Sequence, residues 1–412
     1  MSGIVLSASV RQNLLSLQST AELLATTQND LATGNKVNSA LDNPTEFFTA
    51  QGLNNRASDI NGLLDGIGNG VQVLQAANTG LTSLQSLVDS AKSIANQVLQ
   101  TSVGYDVKAS ATSLAPTGGG ALSVAGTATD LTVGGTNSLA TKTFIFTPAT
   151  GAATTITLGT GAGDVNSLDA FNAALSTAGI GLTATLASNG SITLTSSNDN
   201  ASQSLTLGTT AAANTVAISG TDTATLVTPT GGSAGAPVAD AASQAIRANL
   251  VSQYNAVIQQ ITNTSLDSSF NGINLLNGDT LKLTFDETAK ATLSITGVTY
   301  SAAGLGLNSL AAGTDFLDNA SANNVLTALN TASTSLRTEA SALGSNLSVV
   351  QIRQDFNKNL INVLQTGASN LTLADPNEEA ANSQALSTRQ SIAVSALALA
   401  NQSQQSVLQL LR

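Results

Sequence analysis

The sequence contains no cysteine, no histidine and no tryptophan. The lack of cysteine excludes disulfides and thiolate nucleophiles, and the lack of histidine removes imidazole bases and most transition-metal sites. Any catalytic site would have to use carboxylates, lysines and hydroxyls. Aromatic residues make up only 3% of the 412 residues, so stability must come from many small aliphatic contacts. We expect no catalytic residues, no metal ligands and no cofactor.

Charged residues are also scarce, at 9% of the chain, with 25 acidic and 14 basic residues and a net charge of −11. The basic residues are scattered, which argues against nucleic acid or an anionic membrane surface as a partner. No apolar run approaches a membrane span. The N-terminal sequence MSGIVLSASVRQN lacks the basic and long apolar regions of a cleaved signal peptide. We therefore expect the chain to be cytosolic or to leave the cell without such a peptide.

Both ends of the chain carry mainly apolar residues at alternating steps of four and three, which keep one side of a helix apolar at about 3.5 residues per turn. Two seams lie near each terminus, predicting four helices. The N-terminal seams are Val10, Leu14, Leu17, Ala21, Leu24, Gln28 and Leu31, and then Leu53, Ala57, Ile60, Leu64, Ile67, Val71, Leu74, Asn78, Leu81, Gln85 and Val88. The C-terminal seams are Leu326, Leu329, Ser333, Leu336, Ala340, Leu343, Leu347, Val350, Gln354, Asn357, Ile361 and Leu364, and then Leu386, Gln390, Ala393, Leu397, Ala400, Gln404, Val407 and Leu411.

These seams allow two interpretations, the core of an ordinary helical bundle or long rods that pair with each other and with neighbouring molecules. Length favours rods, because a helix from Pro44 to Gln100 would be roughly 80 Å long at about 1.5 Å per residue. We expect the outermost seams to form an assembly interface. Its predicted residues are Val10, Leu14, Leu17, Leu24, Leu31, Leu386, Ala393, Leu397, Val407 and Leu411.

The stretch LATGNKVNSALDNPTEFF, residues 31–48, separates the first two predicted helices. Gly34 can end the first helix, since it has no side chain to clash at positive φ. Asn43 can cap the second helix and Pro44 suits its first position, with Glu46 placed as a capping-box partner. We interpret the stretch as a break, or spoke, that resets the phase of the seam so that the two helices face different neighbours.

The last predicted helix has a second regular face away from its apolar seam. Its residues are small or polar but uncharged, whereas an exposed helix face is usually rich in Lys and Glu. One interpretation is that this face lines a water-filled passage, and the other is an ordinary exposed surface. The candidate lining residues are Ser395, Gln402, Gln405 and Gln409, with Ser391 and Ala398 on the same face.

The middle of the chain, between Ala109 and Ala239, is dominated by Gly, Ala, Ser and Thr. Runs such as TKTFIFTPATG, ATTITLGTG, QSLTLGTT and NTVAISG alternate aliphatic or β-branched residues with small polar ones, as half-buried strands do. In LTATLASNGSITLTS the SNG tripeptide predicts a hairpin turn, and LDAFNAALSTAG predicts a helix. Asp164 and Asp169 fit a loop residue and a helix cap better than a cation site.

The chain then returns to helix in ADAASQAIRANLVSQYNAVIQQITN. A small β segment follows in FNGINLLNGDTLKLTFDE and ATLSITGVTY, with turns at Asn271-Gly272 and Asn277-Gly278. The predicted fold class is α+β. It comprises a long coiled-coil-like helical bundle formed by the N- and C-terminal segments, a small β segment and an inserted β-rich α+β domain.

At both ends the sequence resembles bacterial flagellin. The resemblance rests on NKVNSALDNP, LQSLVDSAKSIANQ, FNGINLLNG, ALGSNLSVVQIRQDF, ADPNEEAANSQALSTRQ and SVLQLLR, within about residues 1–105 and 240–412. The central DAFNAALSTAGIGLTATLASNGSITLTS is similar to a module that recurs in flagellin insertions. One departure is that the insertion precedes the helix near Ala239, whereas many flagellins place theirs after the β segment.

The resemblance implies a structural subunit without enzymatic activity, exported unfolded by type III secretion and polymerised into the extracellular flagellar filament. On this analogy residues 1–43 and 376–412 form an inner tube and its spoke, residues 44–105, 240–320 and 321–375 form an outer tube, and residues 106–239 form a surface-exposed insertion. The implied partners are copies of the same chain, the export apparatus and a chaperone, and the filament cap and hook-associated proteins. Neither nucleic acid nor a membrane is implied.

Two alternatives remain at the level of sequence. A hook–filament junction protein shares the paired termini but joins once instead of polymerising, and the regular C-terminal seams favour the filament subunit. A surface adhesin would bind a partner through the insertion, with the ends serving as an anchor. A metalloprotease insertion, found in some flagellins, is excluded because its zinc site needs histidine.

Overall fold

The computed structural model describes residues 8–113, 131, 143–147, 154–188, 191–202, 204–207, 215–219, 223–226 and 232–410. Its helices are α1 (Ala8–Thr33), α2 (Pro44–Gln100), α3 (Leu168–Thr177), α4 (Ala241–Asp267), α5 (Asn319–Thr372) and α6 (Pro376–Leu410), with a short 3₁₀ helix at Asn198–Asn200. Its strands are β1 (Tyr105–Val107), β2 (Ser110–Ser113), β3 (Thr143–Thr147), β4 (Thr154–Thr157), β5 (Leu182–Leu186), β6 (Ile192–Ser196), β7 (Ser204–Leu207), β8 (Thr215–Ser219), β9 (Thr223–Leu226), β10 (Gly232–Gly235), β11 (Val238–Ala239), β12 (Thr280–Thr284) and β13 (Thr292–Thr296). Across these described ranges, no helix combines the length and apolarity needed to cross a bilayer.

The chain packs as two compact units. One comprises Met1–Gln72, Leu281–Ile295 and Asn346–Arg412, and the other comprises Val73–Thr280 and Thr296–Ser345. Helices α2 and α5 run unbroken for 57 and 54 residues, and each contributes residues to both units. The four predicted terminal helices are present, and the predicted α+β class with a β-rich insertion is confirmed.

In the first unit α2 and α5 pack along their predicted seams. The buried cluster between them consists of Ala57, Ile60, Ile361 and Leu364, with Leu53, Leu64 and Leu360 packed against it. Counting residues of both units, the predicted α5 seam is buried or half-buried at every position from Leu326 to Leu364, and in α2 only Asn78 of the predicted seam is exposed. Each large aliphatic side chain that is fully buried contributes about 1.5 to 3 kcal/mol, so these seams are a main source of stability.

Segment 281–295 is held onto both long helices within the first unit. Leu283 of β12 lies against Gly70 of α2, where an added Cβ would come 2.5 Å from the leucine Cδ2, so glycine is needed for this close approach. Asn357 of α5 is buried, and its Nδ2 donates to the carbonyl of Phe285 at 3.0 Å. The β segment therefore depends on residues from both rods.

In the second unit, the sequence FNGI forms a tight turn. Asn271 and Gly272 have φ values of 50° and 79°, and Phe270 and Ile273 exchange two backbone hydrogen bonds of 3.0 Å. Positive φ at both central residues is typical of a type I′ turn, which favours Asn-Gly. Gly278 of the second predicted pair also has positive φ, at 90°. Both turn predictions are confirmed.

Asn274 is buried next to this turn and joins it to the end of α4. Its Nδ2 donates to the carbonyls of Ser265 and Leu266 at 2.8 and 2.9 Å, and its Oδ1 accepts the Leu276 N–H at 2.9 Å. Its own N–H donates to Asp279 Oδ2 at 2.8 Å. A single carboxamide thus satisfies backbone groups from two segments.

The insertion has a hydrophobic core of its own. One sheet has the strand order β10-β2-β6-β5 and another has the order β4-β3-β8-β9-β7, and α3 packs against β5. The core residues are Ala109, Ala111, Leu131, Phe144, Ile156, Leu158, Leu168, Phe171, Leu175, Ile180, Leu182, Ala184, Leu186, Ile192 and Leu194. Strands and one helix occur where the sequence predicts them, so the β-rich α+β insertion is confirmed.

The predicted hairpin is formed by β5 and β6, which pair antiparallel from Leu182–Ser196 to Leu186–Ile192. Its turn residues, Asn189 and Gly190, lie outside the described residues.

Helix α3 is capped by Ser167, whose Oγ accepts the Ala170 N–H at 3.2 Å. Asp169 is in the first turn instead, so the prediction that it caps the helix is wrong. The reason is position, because a cap must precede the first helical residue, here Leu168. Asp164 is a loop residue as predicted, and its Oδ2 accepts the Gly161 N–H at 3.1 Å.

Replacing Asn274 by alanine should weaken the end of α4 and the adjacent turn. The change leaves two carbonyls and one N–H without their partner, and we expect a local loss of about 2 kcal/mol or more. Native-state hydrogen exchange of the Leu276 amide should then accelerate by roughly 30-fold. Asn277→Ala is the matched control, because Asn277 is an exposed asparagine of the same loop. Equal exchange rates in both variants would contradict the role of Asn274.

Candidate assembly interface

The start of α6 is fixed by its cap. Asp375 precedes the first helical residue, and its Oδ1 accepts the N–H groups of Asn377 at 2.9 Å and Glu378 at 3.4 Å. Pro376 has no N–H to leave unpaired, and the carboxylates of Glu378 and Glu379 lie at the positive end of the helix dipole. The sequence ADPNEE therefore sets the start of a helix of 35 residues.

Helix α1 packs along α6. On α6 the half-buried positions follow the predicted seam, whereas the residues between them are exposed. The half-buried positions on the predicted seam are Leu386, Gln390, Ala393, Leu397 and Ala400. Toward the C-terminus, the side chain of Val407 and residue Leu411 lie outside the described residues. None of the described α6 side chains is fully buried, so pairing with α1 covers the seam only in part.

The paired face of α1 differs from the predicted seam. Its least exposed described residues are Val10, Asn13, Leu17, Thr20, Ala21, Leu24, Thr27 and Asp30. Leu14 and Leu31, which the sequence places on one seam with Val10, are 47% and 41% exposed in the single chain. Leucines lie on several sides of α1, so the sequence allows more than one phase. Polar residues on the covered face gave no signal in the apolar pattern.

Large apolar side chains remain uncovered on both paired helices. On α6 Ile392, Val394 and Leu399 are 63%, 51% and 69% exposed. Ile392 and Leu399 are seven residues apart and so lie on the same side of the helix, next to the seam. On α1 Leu15 and Leu23 are more than half exposed. Exposed apolar rows of this kind are typical of interaction surfaces.

The uncharged face of α6 is exposed as the sequence predicts. Ser391, Ser395, Gln402 and Gln405 are all exposed, and the side chain of Gln409 lies outside the described residues. Ser395 Oγ donates to the Ser391 carbonyl at 2.9 Å, so its hydroxyl is already satisfied by the helix. In the described part of the chain no three acidic side chains lie together as a metal site would require.

The spoke begins where α1 ends. Gly34 has φ 74°, and its N–H donates to the carbonyl of Asp30 at 2.8 Å, which is the left-handed ending predicted for glycine. The Gly34 carbonyl accepts the Ala374 N–H at 3.0 Å, and the Lys36 N–H donates to the Thr372 carbonyl at 2.8 Å. These backbone bonds join the end of α1 to the link between α5 and α6.

Asp42 closes a small loop within the spoke. Its Oδ2 accepts the N–H groups of Asn38 and Ser39 at 2.9 and 2.8 Å, and these hydrogen bonds, first that of Ser39, lower the pKa of Asp42. Burial, and then the nearby Asp42 carboxylate, raises the pKa of Asp30. Asn38 Nδ2 donates to Asp30 Oδ1 at 3.2 Å and so links the loop to α1. The loop presents Leu41 at 95% exposure.

Helix α2 begins at the predicted residue. Pro44 is its first residue, and Asn43 Oδ1 accepts the Glu46 N–H at 3.2 Å as an N-cap. The Asn43 carbonyl accepts the first helical hydrogen bond, from Phe47 at 2.9 Å. Sequence reasoning found Gly34, Asn43 and Pro44 because their chemistry is local. It missed Asn38 and Asp42, whose roles depend on the closed shape of the loop.

Two family profiles match the helical ends. The one described as the bacterial flagellin N-terminal helical region matches residues 5–116, and the one described as the bacterial flagellin C-terminal helical region matches residues 326–411. Flagellins FljM and FljK of Caulobacter vibrioides are 32% and 31% identical over 164 residues, covering 40% of this chain and 59% of each relative. A flagellin of Brucella melitensis is 28% identical over 182 residues, covering 42% of this chain and 64% of the relative. The chain thus spans about three fifths of the length of these three relatives.

Removing the cap of α2 should loosen its first turn. Asn43→Ala leaves the Glu46 N–H without a partner, which costs about 1 kcal/mol of helix stability. We therefore expect exchange of the Glu46 N–H with deuterated water to accelerate by roughly fivefold. Asn43→Asp is the matched control, because a carboxylate accepts the same hydrogen bond and also favours the helix N-terminus. If the alanine and aspartate variants exchanged at the same rate, Asn43 would not act as the cap.

Proposed function

The chain belongs to the bacterial flagellin family, and on this premise we propose that it is a structural subunit that polymerises with copies of itself into the flagellar filament. The family is one of structural proteins, and we propose no enzymatic activity for this member. Its place is outside the cell, as part of the filament. The nearest alternative within the same class is a hook–filament junction protein, which would join neighbours without elongating.

The observation that carries the proposal is how little the terminal helices bury. Among the described side chains of α1 only Val10 and Thr27 are buried, and among those of α6 none is. Ordering one residue costs about 1 to 2 kcal/mol of backbone entropy, whereas burial of apolar surface stabilises by roughly 25 cal/mol per Å². A half-buried seam that includes Gln390, Ala393 and Ala400 does not offset this cost. The terminal helices therefore order only when neighbouring copies cover them.

The exposed apolar side chains supply the second half of this interface. Ile392 and Leu399 flank the α6 seam, and Leu14 and Leu15 lie on α1 outside the covered face. A surface that binds a different surface on the next copy generates an open helical polymer when the repeated rotation does not close into a ring. We therefore keep the predicted interface of Val10, Leu14, Leu17, Leu24, Leu31, Leu386, Ala393, Leu397, Val407 and Leu411 and add Ile392 and Leu399 to it.

The proposed arrangement assigns each part of the chain a layer. Residues 1–43 and 376–412 form the inner tube and spoke, and residues 44–105, 240–320 and 321–375 form the outer tube. Residues 106–239 form the insertion on the outside. The uncharged face of Ser395, Gln402, Gln405 and Gln409 lines the central channel, where fixed charges would retain a passing chain.

The remaining partners follow from the same proposal. The subunit leaves the cell unfolded through the flagellar type III export apparatus, with a chaperone that binds the unpaired terminal segments. It folds at the filament tip beneath the cap, and the first copies contact hook-associated proteins. Coupled folding and assembly suits segments that cannot bury enough surface alone.

Deletion of residues 386–412 should leave a folded, soluble chain that does not polymerise. The long seams of α2 and α5 stay intact, whereas α1 loses its partner. Purified truncated and full-length chains are each mixed with short filament fragments, and elongation is followed by electron microscopy. We expect elongation only with the full-length chain. Elongation of the truncated chain would refute the assignment, and a full-length chain that caps fragments without elongating them would identify a junction protein.

Leu399→Ser is a finer version of this test, because it changes an exposed side chain without altering the α1–α6 seam. The variant loses part of the free energy gained by burying a leucine between copies, about 1.5 kcal/mol. The critical concentration for elongation should therefore rise roughly tenfold. Thr388→Ala, at another exposed position of α6, is the matched control and should elongate as the parent does. A normal critical concentration for Leu399→Ser would remove Leu399 from the interface.

A further inference from the structure

Arg247 of α4 is a buried cation whose donors reach separate segments of the chain. It is 1% exposed, and its Nε donates to the Ser102 carbonyl at 3.1 Å. Nη1 donates to the Phe316 carbonyl at 2.8 Å, and Nη2 donates to Asn319 Oδ1 at 3.4 Å. Within the described ranges Arg247 forms no salt bridge. The side chain is therefore held by neutral acceptors from the end of α2 and the start of α5.

This position is demanding for a charged group. Burial lowers the pKa of Arg247, while the charge of nearby Asp318 favours the cation. Burial of a charged guanidinium is costly unless its N–H groups are paired, and three acceptors pair with N–H groups of Arg247. Ser102 follows the C-terminus of α2, a helix with no basic residue in its last turn. Arg247 thus also supplies a cation at the negative end of the α2 dipole.

The two segments that lead into and out of the insertion are hydrogen-bonded to each other beside Arg247. The Gly104 carbonyl accepts the Asp240 N–H at 3.0 Å and Gln244 Nε2 at 2.8 Å. An added Cβ at Gly104 would clash with the Gln244 carboxamide, so a larger residue here would displace that side chain from its hydrogen bond. Tyr105 and Ala239 pair as neighbouring strands directly beyond it. The connections are therefore short and hydrogen-bonded, unlike a flexible linker.

A third contact joins the body of the insertion to the start of α5. Ser202 Oγ donates to Asp318 Oδ2 at 2.6 Å. Asp318 is 5% exposed and also accepts the Ser321 N–H at 3.0 Å, which makes it the N-cap of α5. The insertion is thus also attached to the start of α5, which is remote in sequence from the two segments that connect the insertion to the helices.

We infer that these contacts form a rigid collar that fixes the orientation of the insertion on α2, α4 and α5, with Arg247 as the positioning residue. The collar consists of Ser102, Gly104, Ser202, Gln244, Arg247 and Asp318. Its bonds attach the root of the insertion to the end of α2, to α4 and to the start of α5, so we expect a change in the orientation of the insertion to break at least one of them. The insertion is consequently presented at one angle instead of swinging on a tether. This property belongs to the single chain and does not require polymerisation.

The orientation can be measured with paired spin labels, because the chain has no cysteine of its own. Ser90 of α2 and Ser176 of α3 are exposed and can each be changed to cysteine and labelled. Pulsed dipolar spectroscopy of the full-length monomer then gives the distribution of distances between the two labels. We expect a single narrow distribution for the parent chain. In Arg247→Met the distribution should broaden by about twofold or more, because methionine donates none of the three bonds.

Arg247→Lys keeps the charge but not the planar fork, so its distribution should be of intermediate width. Arg337→Met is the matched control, since Arg337 is an exposed arginine of α5 in the same unit. If Arg247→Met does not fold, the double variant Ser202→Ala with Gln244→Ala removes two other collar bonds and carries the same expectation. A folded collar variant with the parental width would overturn the inference, and so would a broad distribution in the parent chain.

Discussion

The shallow burial between α1 and α6 is the constraint on which the rest of the structure depends. Each helix presents one half-covered side to the other and leaves apolar side chains such as Leu15 and Leu399 uncovered. The spoke nevertheless holds the starting point of the pair, because Gly34 and Lys36 bond to the backbone between α5 and α6. One end of the α1–α6 pair is thus held in place, and part of its apolar surface is uncovered. Another copy of the chain can cover that surface.

Burial increases away from the terminal pair. The seams of α2 and α5 bury leucines, isoleucines and an alanine against each other, and segment 281–295 contacts these helices through Leu283 and the Phe285 carbonyl. The insertion has a separate core that includes Phe144 and Phe171. Stability on this account resides in the rods and the insertion, whereas the termini keep their unsatisfied surface for assembly. The low aromatic content is consistent with seams built from small side chains.

Several helix ends and one apolar seam could be predicted from the chemistry of residues close together in the sequence. Gly34, Asn43 and Pro44 could be assigned because glycine, asparagine and proline have specific roles at helix ends, and the α6 seam followed from its regular steps. The face of α1 that packs against α6 could not be identified from the sequence alone, because leucines occur on several sides of the helix. The resemblance to flagellin is confirmed by the matches to both helical ends.

Other features could not be predicted because they depend on contacts between distant segments. Arg247 gives no signal in a helix pattern, since its acceptors are 69 or more residues away. Strands β2 and β10 were also missed. Their SATS and GSAG sequences lack the aliphatic alternation that identifies a strand, and their pairing is imposed by the sheet around them.

The most direct test is residue-resolved hydrogen exchange on the same protein as a dilute monomer and as assembled filament. The account predicts rapid exchange along α1 and α6 in the monomer, strong protection of both helices in the filament, and protection of the α2 and α5 seams in both states. Slow exchange along α1 and α6 in the dilute monomer would show that the terminal helices are complete without neighbours, which would contradict the central claim.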